Sequence, residues 1–237
     1  MEPHFPVALT VVAIVSLAVA GACAVAIAID VIRRPSRMAV MRLVWPVVAL
    51  FGGVPWLVLY ARYGRAPRRG DDDARRPTPR WASIAVSTSH CGAGCSLGDL
   101  VAESLLAALP ALAVVGGLGW LFTDRLFAVW VIDFVLAFGI GIALQYAAIA
   151  PHRDGSRGST LLAAVKADTA SITAWQVGMF GLMAIAQFLV FPAIAGGRAG
   201  AADPEFWFAM QLAMLAGFAV AYPVNALLIS RGVKEAM

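Results

Sequence analysis

Residues 7–29 read VALTVVAIVSLAVAGACAVAIAI, an apolar run without a charged side chain. At 1.5 Å of rise per residue it makes a helix of about 35 Å, enough to cross a hydrocarbon core of about 30 Å. Five further runs of the same character follow: Met38–Tyr60, Leu97–Phe122, Leu126–Ala150, Asp168–Ile194 and Phe206–Ile229. Backbone N–H and C=O groups find no water in lipid, so such runs must be helical. None alternates over segments of about 10 residues, as membrane β-strands do. The chain is therefore read as all-α, a polytopic integral-membrane bundle of about six transmembrane helices.

Composition supports the same class. Of 237 residues, 61% are hydrophobic and 14% charged, and mean hydropathy is +0.81. A soluble domain carries about 25% charged residues. Disorder, a coiled coil, a disulfide scaffold and a water-soluble enzyme are excluded, and three cysteines build no disulfide framework. The first run is too long for a signal-peptide core and no Lys or Arg precedes it, so it is expected to remain as a span.

The 18 basic residues lie mostly between the apolar runs. With six alternating crossings, 12 fall on the side of the termini and 6 on the other. Both termini are therefore expected in the cytoplasm of a bacterium, the protein lying in its inner membrane, with Arg33, Arg34 and Arg37 dissenting. Three parts follow: two N-terminal spans in 1–60, a basic cytoplasmic loop in 61–82, and a four-helix membrane region in 83–237. The Arg-rich loop has no aromatic or motif context for nucleic acid. No Gly-rich phosphate loop marks a pump driven by ATP. The expected partners are the lipid bilayer and a small ion or solute, and homo-oligomerisation stays open.

Polar side chains inside membrane helices are costly, so each is a candidate for a site or for helix packing. His90, Cys91, Cys95 and Asp99 start the third helix, whose small and polar residues between Trp81 and Leu97 read as a helical extension or a re-entrant piece, and Gln145 and Tyr146 close the fourth run. Asp168, Ser171 and Gln176 open the fifth, and Tyr222 and Asn225 close the sixth. Six alternating crossings put all four groups in one leaflet. In the stretch His90-Cys91-Gly92-Ala93-Gly94-Cys95-Ser96-Leu97-Gly98-Asp99, followed by Glu103, the residues 91, 95, 99 and 103 repeat every four positions along one helix face. Thiols beside an imidazole make a soft site for copper or zinc, or a dithiol that cycles with a disulfide. The competing reading is packing, because Gly, Ala and Cys let membrane helices approach closely. The Cys spacing matches neither zinc ribbons nor thioredoxins.

An internal echo relates Ala174-Trp175-Gln176-Val177-Gly178-Met179-Phe180-Gly181 to Ala209-Met210-Gln211-Leu212-Ala213-Met214-Leu215-Ala216. On antiparallel helices the copies would oppose each other, as in inverted-repeat transporters. Met179/Met183 and Met210/Met214 are i,i+4 pairs that could relay a soft cation, or fill a core. Asp133 is a lone carboxylate in the fourth run, and Asp168 reads equally as a helix start. His4 and His152 read as surface residues.

These residues carry a resemblance. Trp45-Pro46, the Ser89–Asp99 stretch, Gln145-Tyr146 with Pro151, Lys166-Ala167-Asp168-Thr169, Gln176-Val177-Gly178-Met179, Tyr222-Pro223-Val224-Asn225 and Gly232-Val233-Lys234-Glu235 resemble a bacterial integral-membrane family catalogued as a domain of unknown function. The likeness runs from about Asp30 onward. It implies an inner-membrane helical protein whose motif residues are His90, Cys91, Cys95 and Asp99, and it supplies no activity.

The expected function is binding and transport of a soft transition-metal ion, copper before zinc. His90, Cys91 and Cys95 would be the ligands. Asp99, Glu103, Asp168, Gln145, Tyr146 and Asn225 would support them or relay protons, and Met179, Met183, Met210, Met214, Gln176 and Gln211 would line the path. Two rivals stand beside it: a membrane thiol oxidoreductase using Cys91 and Cys95, and an organic-solute transporter in which the cysteines only pack.

Overall fold

A computed structural model describes residues 3–34, 38–65, 78–152 and 156–234. The elements are α1 (Val7–Arg33), α2 (Met41–Leu59, prolonged by a wider turn over Tyr60–Gly64), α3 (Arg80–Ala108), α4 (Leu112–Val115), α5 (Arg125–Ile149), α6 (Arg157–Ile185), α7 (Phe191–Ala195) and α8 (Pro204–Ser230). A wide turn over Ala186–Val190 joins α6 to α7, so Arg157–Ala195 is one continuous 39-residue helix. No strand occurs among the described residues. Six helical segments are long and apolar enough to cross a membrane. The outer surface is rich in exposed aliphatic side chains, such as Val11, Ile14, Val15 and Val25 of α1, which suits contact with lipid.

The second segment does not run straight. At Gly53 the backbone takes φ 52° and ψ −133° inside α2, a conformation glycine adopts without a Cβ penalty. The chain then folds back on itself. The rings of Trp45 and Tyr60 meet edge to face at 5.5 Å, and those of Phe51 and Trp56 at 5.3 Å. A straight helix would hold residues 45 and 60 about 22 Å apart. Pro46 and Pro55 flank the break on either side. The segment is a re-entrant hairpin that starts and finishes at the same end of the bundle. Its return is tied to the end of α1, where the Asp30 carboxylate accepts from Tyr60 Oη at 2.7 Å and from Arg65 Nη2 at 2.7 Å.

The hairpin changes the parity of the topology. The His4 amide donates to the Ala195 carbonyl at 3.0 Å, and Phe5 packs on Phe191 at 5.3 Å. Lys234 lies beside Asp168 at 2.5 Å. Asp168 and Ala195 are about 40 Å apart along the continuous helix, so residues 4 and 234 lie at opposite ends of the bundle. The expected arrangement, with both termini on one side, is corrected: α1, α3, α5, α6–α7 and α8 run end to end, and the α2 segment returns.

The third span is Arg80–Ala108: the small and polar residues ahead of Leu97, whose state the sequence leaves open, are a helical extension, and the helix ends before the apolar run reaches Phe122. Ser87, Thr88, Ser89 and His90 are buried against protein, so this half of α3 needs no lipid-facing hydropathy. After Ala108 the apolar sequence breaks into α4 and turns, with Gly117 and Gly119 at φ 108° and 85°. Most of the Arg-rich loop, residues 66–77, lies outside the described residues, as does the side chain of His152.

Three antiparallel pairings dominate the core: α6 on α8, α3 on α5, and α1 on the hairpin. The α3–α5 crossing is made by missing side chains. A Cβ on Gly94 would stand 2.5 Å from Gly141 Cα, and one on Gly98 2.5 Å from Ala137 Cα. Gly92 gives the same close approach to the Trp175 indole of α6. The glycines of the motif are thus packing residues.

Candidate functional site

Around the glycine face, α3 presents buried polar groups over most of its length. Thr88 and Ser89 hydroxyls donate back to the Ile84 and Ala85 carbonyls at 2.8 Å each, which satisfies them within the helix. Ser89 Oγ also accepts from Trp56 Nε1 at 3.0 Å, so the returning limb of the hairpin docks on α3 next to His90. Ser96 donates to the Gly92 carbonyl at 2.9 Å and approaches Met214 Sδ at 3.7 Å. Trp175 Nε1 points at the same sulfur, 3.4 Å away.

A second set of groups is buried without a hydrogen-bond partner among the described residues. It comprises both ring nitrogens of His90, both carboxylate oxygens of Asp99, both polar atoms of the Gln176 side chain, Gln145 Oε1, Asp133 Oδ1, Asp168 Oδ2 and Asn225 Oδ1, with Gln187 Oε1 standing apart from them in the wide turn after α6. A buried group in that condition marks a place where water, an ion or a proton belongs. Ordered by helix register they form a file. Asp168, with Ser171 and Asn225, lies toward the start of α3. His90, Cys91, Gln145 and Gln176 come next, then Cys95, Ser96 and Met214, and finally Asp99, Asp133 and Glu103. From Ser87 to Glu103 the file follows α3 for about 24 Å. Asp99 lies past the middle of α3, so the expectation that all the polar groups share one leaflet is corrected for it.

The two ends of the file differ chemically. At the first, the Lys234 ammonium bonds Asp168 Oδ1 at 2.5 Å with both side chains fully buried, and Asn225 Nδ2 donates to Ser171 Oγ at 2.7 Å. At the second, Asp99 adjoins the Gly98–Ala137 crossing and Asp133 sits one turn along α5 from Ala137. Glu103 and Arg125 interact electrostatically there, and Arg125 Nη2 reaches the Leu106 carbonyl at 3.4 Å.

The expected ligand set is only partly brought together. Cys91 and Cys95 are free and fully buried on one face of α3. His90 precedes Cys91 and is turned about 100° from it on the helix. Among the described residues no three His, Cys, Asp or Glu side chains are grouped to hold a metal ion. Met179, Met183, Met210 and Met214 are all buried. Gln211 is structural: it accepts from Ser16 Oγ at 2.8 Å and donates to the Leu50 carbonyl in the hairpin at 2.7 Å. Tyr146 stands apart from the file, lining an open apolar hollow with Ile142, Ala143, Arg157 and Leu161. The echoed stretches do oppose each other. Gly178 meets the backbone of Ala216, and Trp175 Nε1 points at Met214 Sδ. Sequence reasoning missed Lys234, and it gave no site role to Ser89 or Ser96. A glycine three residues past the last apolar run, followed by a lone lysine, was the available signal for Lys234.

Fold and site together define a polytopic helical membrane protein with a re-entrant hairpin and a buried polar file. Residues 80–234 match the family model described as a domain of unknown function (DUF4396), and the chain belongs to that family. The match covers the polar file and leaves α1 and the hairpin outside, so the likeness is shorter than the stretch from Asp30. No curated protein and no solved structure matches the chain.

Proposed function

We propose that this protein passes a small soft cation, reduced copper before zinc, across a bacterial inner membrane along the α3 face. The observation that carries the reading is the hairpin tip at Gly53, docked through Trp56 beside the unpartnered His90. Interrupted helix at membrane depth is tolerated where it is buried in protein or lines a hydrated path, and broken helices mark binding sites in transporters. Sulfur in the middle of the file favours a soft cargo: Cys91 and Cys95 offer two thiolates and Met214 a thioether. Zinc wants four ligands in a tetrahedron. Two thiolates on one helix face suit reduced copper, which accepts fewer ligands. Asp99 and Asp133, which form no ion pair among the described residues, would be balanced by protons or by the passing cation.

Charge supports an orientation. Of the basic residues within described segments, ten (Arg33, Arg34, Arg42, Arg62, Arg65, Arg80, Arg157, Lys166, Arg231 and Lys234) belong to the end of the bundle where α8 finishes. Two, Arg125 and Arg198, belong to the other end. Folding back the second segment moves Arg33, Arg34 and Arg42 to the majority side, so the Arg33-Arg34 discrepancy disappears. That end is the cytoplasmic one, and the residues before α1 face away from the cytoplasm.

The test is metal content. Full-length protein is purified in detergent, exposed to copper under reductant, desalted and analysed by mass spectrometry, beside Cys91→Ser/Cys95→Ser. The proposal expects copper with the wild type and background with the variant. Background copper in both would end it. Alkylation with and without reductant is the companion assay, and thiols that cycle with redox poise would favour the oxidoreductase instead.

A further inference from the structure

The turn after α8 is built to return the chain into the bundle. Gly232 takes φ 69°, and the amides of Val233 and Lys234 bond back to the Leu228 carbonyl at 3.0 and 3.3 Å. This is a left-handed glycine cap of the kind that ends helices and reverses their direction. It delivers Lys234 to Asp168 instead of to water. A lysine just past a membrane helix ordinarily extends to the aqueous interface. Here the ammonium and the carboxylate are both fully buried.

That burial is incompletely compensated. An ammonium offers three donors, and among the described residues the hydrogen bond of Lys234 Nζ is the one to Asp168 Oδ1. Asp168 Oδ2 is left without a partner. One turn along α6, Ser171 engages the Asn225 amide through Nδ2, which leaves Asn225 Oδ1 unused. His90 lies within electrostatic range of both Asp168 and Lys234, with neither ring nitrogen bonded. The surroundings thus hold acceptors beyond the one the lysine engages: a carboxylate oxygen, an amide oxygen and an imidazole.

We propose that Asp168, with Asn225 held one turn away through Ser171, forms a cation site at the cytoplasmic mouth of the file, filled in this state by the chain's own Lys234 ammonium, and that His90 is the next group along the route. An incoming metal cation and Lys234 compete for it. A metal ion takes several ligands at once, so it engages acceptors that the single lysine bond leaves idle. Exchange of a monovalent cation for the ammonium keeps the buried charge constant. Lys234, held by the turn over residues 231–234, then acts as a tethered plug that yields to cargo. This inference rests on cation passage as the function and names the first site on that route.

The chain has two lysines, Lys166 and Lys234, which makes the plug directly readable. In full-length Lys166→Arg protein, Lys234 is the only remaining lysine. Its acylation by an N-hydroxysuccinimide ester is followed by peptide mass spectrometry, with no added metal, reduced copper, zinc, or sodium. Acylation is expected to be slow without metal and at least about tenfold faster with reduced copper. Adding Asp168→Asn should make it fast in every condition. Release by zinc or sodium and not by copper would keep the site and remove the soft-cargo reading. Copper uptake with unchanged Lys234 labelling would overturn the plug and leave transport standing. Labelling that is fast without metal, or unmoved by all three cations, overturns the proposal without relying on a variant that must fold.

Discussion

Replacing Lys234 by Met keeps the apolar stem and removes the ammonium, leaving Asp168 buried with no counter-charge. Both side chains are 0% exposed and the contact is 2.5 Å, so water cannot screen the loss. Removing one partner of such a pair costs about 3–5 kcal/mol, whereas replacing both by uncharged groups is often near neutral. For a chain of this size, about 2–4 °C of melting temperature accompanies each kcal/mol. Lys234→Met and Asp168→Asn should each lower the thermal midpoint of detergent-purified protein by roughly 6–20 °C. The double variant Asp168→Asn/Lys234→Met should recover most of that. Static light scattering during a thermal ramp measures all four proteins. Additive losses in the double variant would mean that the two groups do not sense each other, and the description of the mouth of the file would be wrong.

Other consequences follow from the same geometry. Gly98→Val should separate α3 from α5, because even a Cβ would stand 2.5 Å from Ala137 Cα; fluorescence-detected size exclusion should show loss of the monodisperse peak. Gly232→Ala puts a side chain at φ 69°, at a cost of about 1–2 kcal/mol, and should speed Lys234 acylation without altering the spans. Asp133→Asn is sterically mild and removes an acid from the second end of the file; it should slow cation uptake while leaving the thermal midpoint near that of the wild type. On the rim opposite Lys234, the Arg198 guanidinium bonded to Asp124 at 2.9 Å holds that carboxyl below its ordinary range. A depressed carboxylate stabilises the fold at pH above its unfolded value of about 3.9, and the gain fades as pH falls through the lower folded value. Because the pair is partly exposed, Asp124→Asn should change stability by no more than about 1 kcal/mol at neutral pH.

What the sequence told, and what it did not, can be traced to particular residues. Uniform apolar runs such as 7–29 announce their helices because lipid demands apolar surface all along them. The start of α3 hid because Ser87 to Ser96 face protein, so hydropathy has nothing to report there. The break at Gly53 hid for a related reason. Gly52-Gly53-Val54-Pro55 is apolar enough to read as helix, and only packing of the two limbs on each other, Trp45 to Tyr60, reveals the reversal. That one turn puts residues 4 and 234 at opposite ends of the bundle. The basic residues Arg33 and Arg34, which fitted poorly with six alternating crossings, were the visible trace of it. The motif around Cys91 was legible as important, yet its glycines serve helix packing and its histidine turns away from its cysteines. Lys234 was invisible as a partner of Asp168 because a charge beyond the last span reads as solvated, and Gly232 redirects it.

Uptake of reduced copper into sealed proteoliposomes tests passage along α3 most directly. The wild type should accumulate copper above protein-free vesicles, and Cys91→Ser/Cys95→Ser, folded by size exclusion, should not. Equal uptake by the two proteins, or none above empty vesicles by either, would contradict the account.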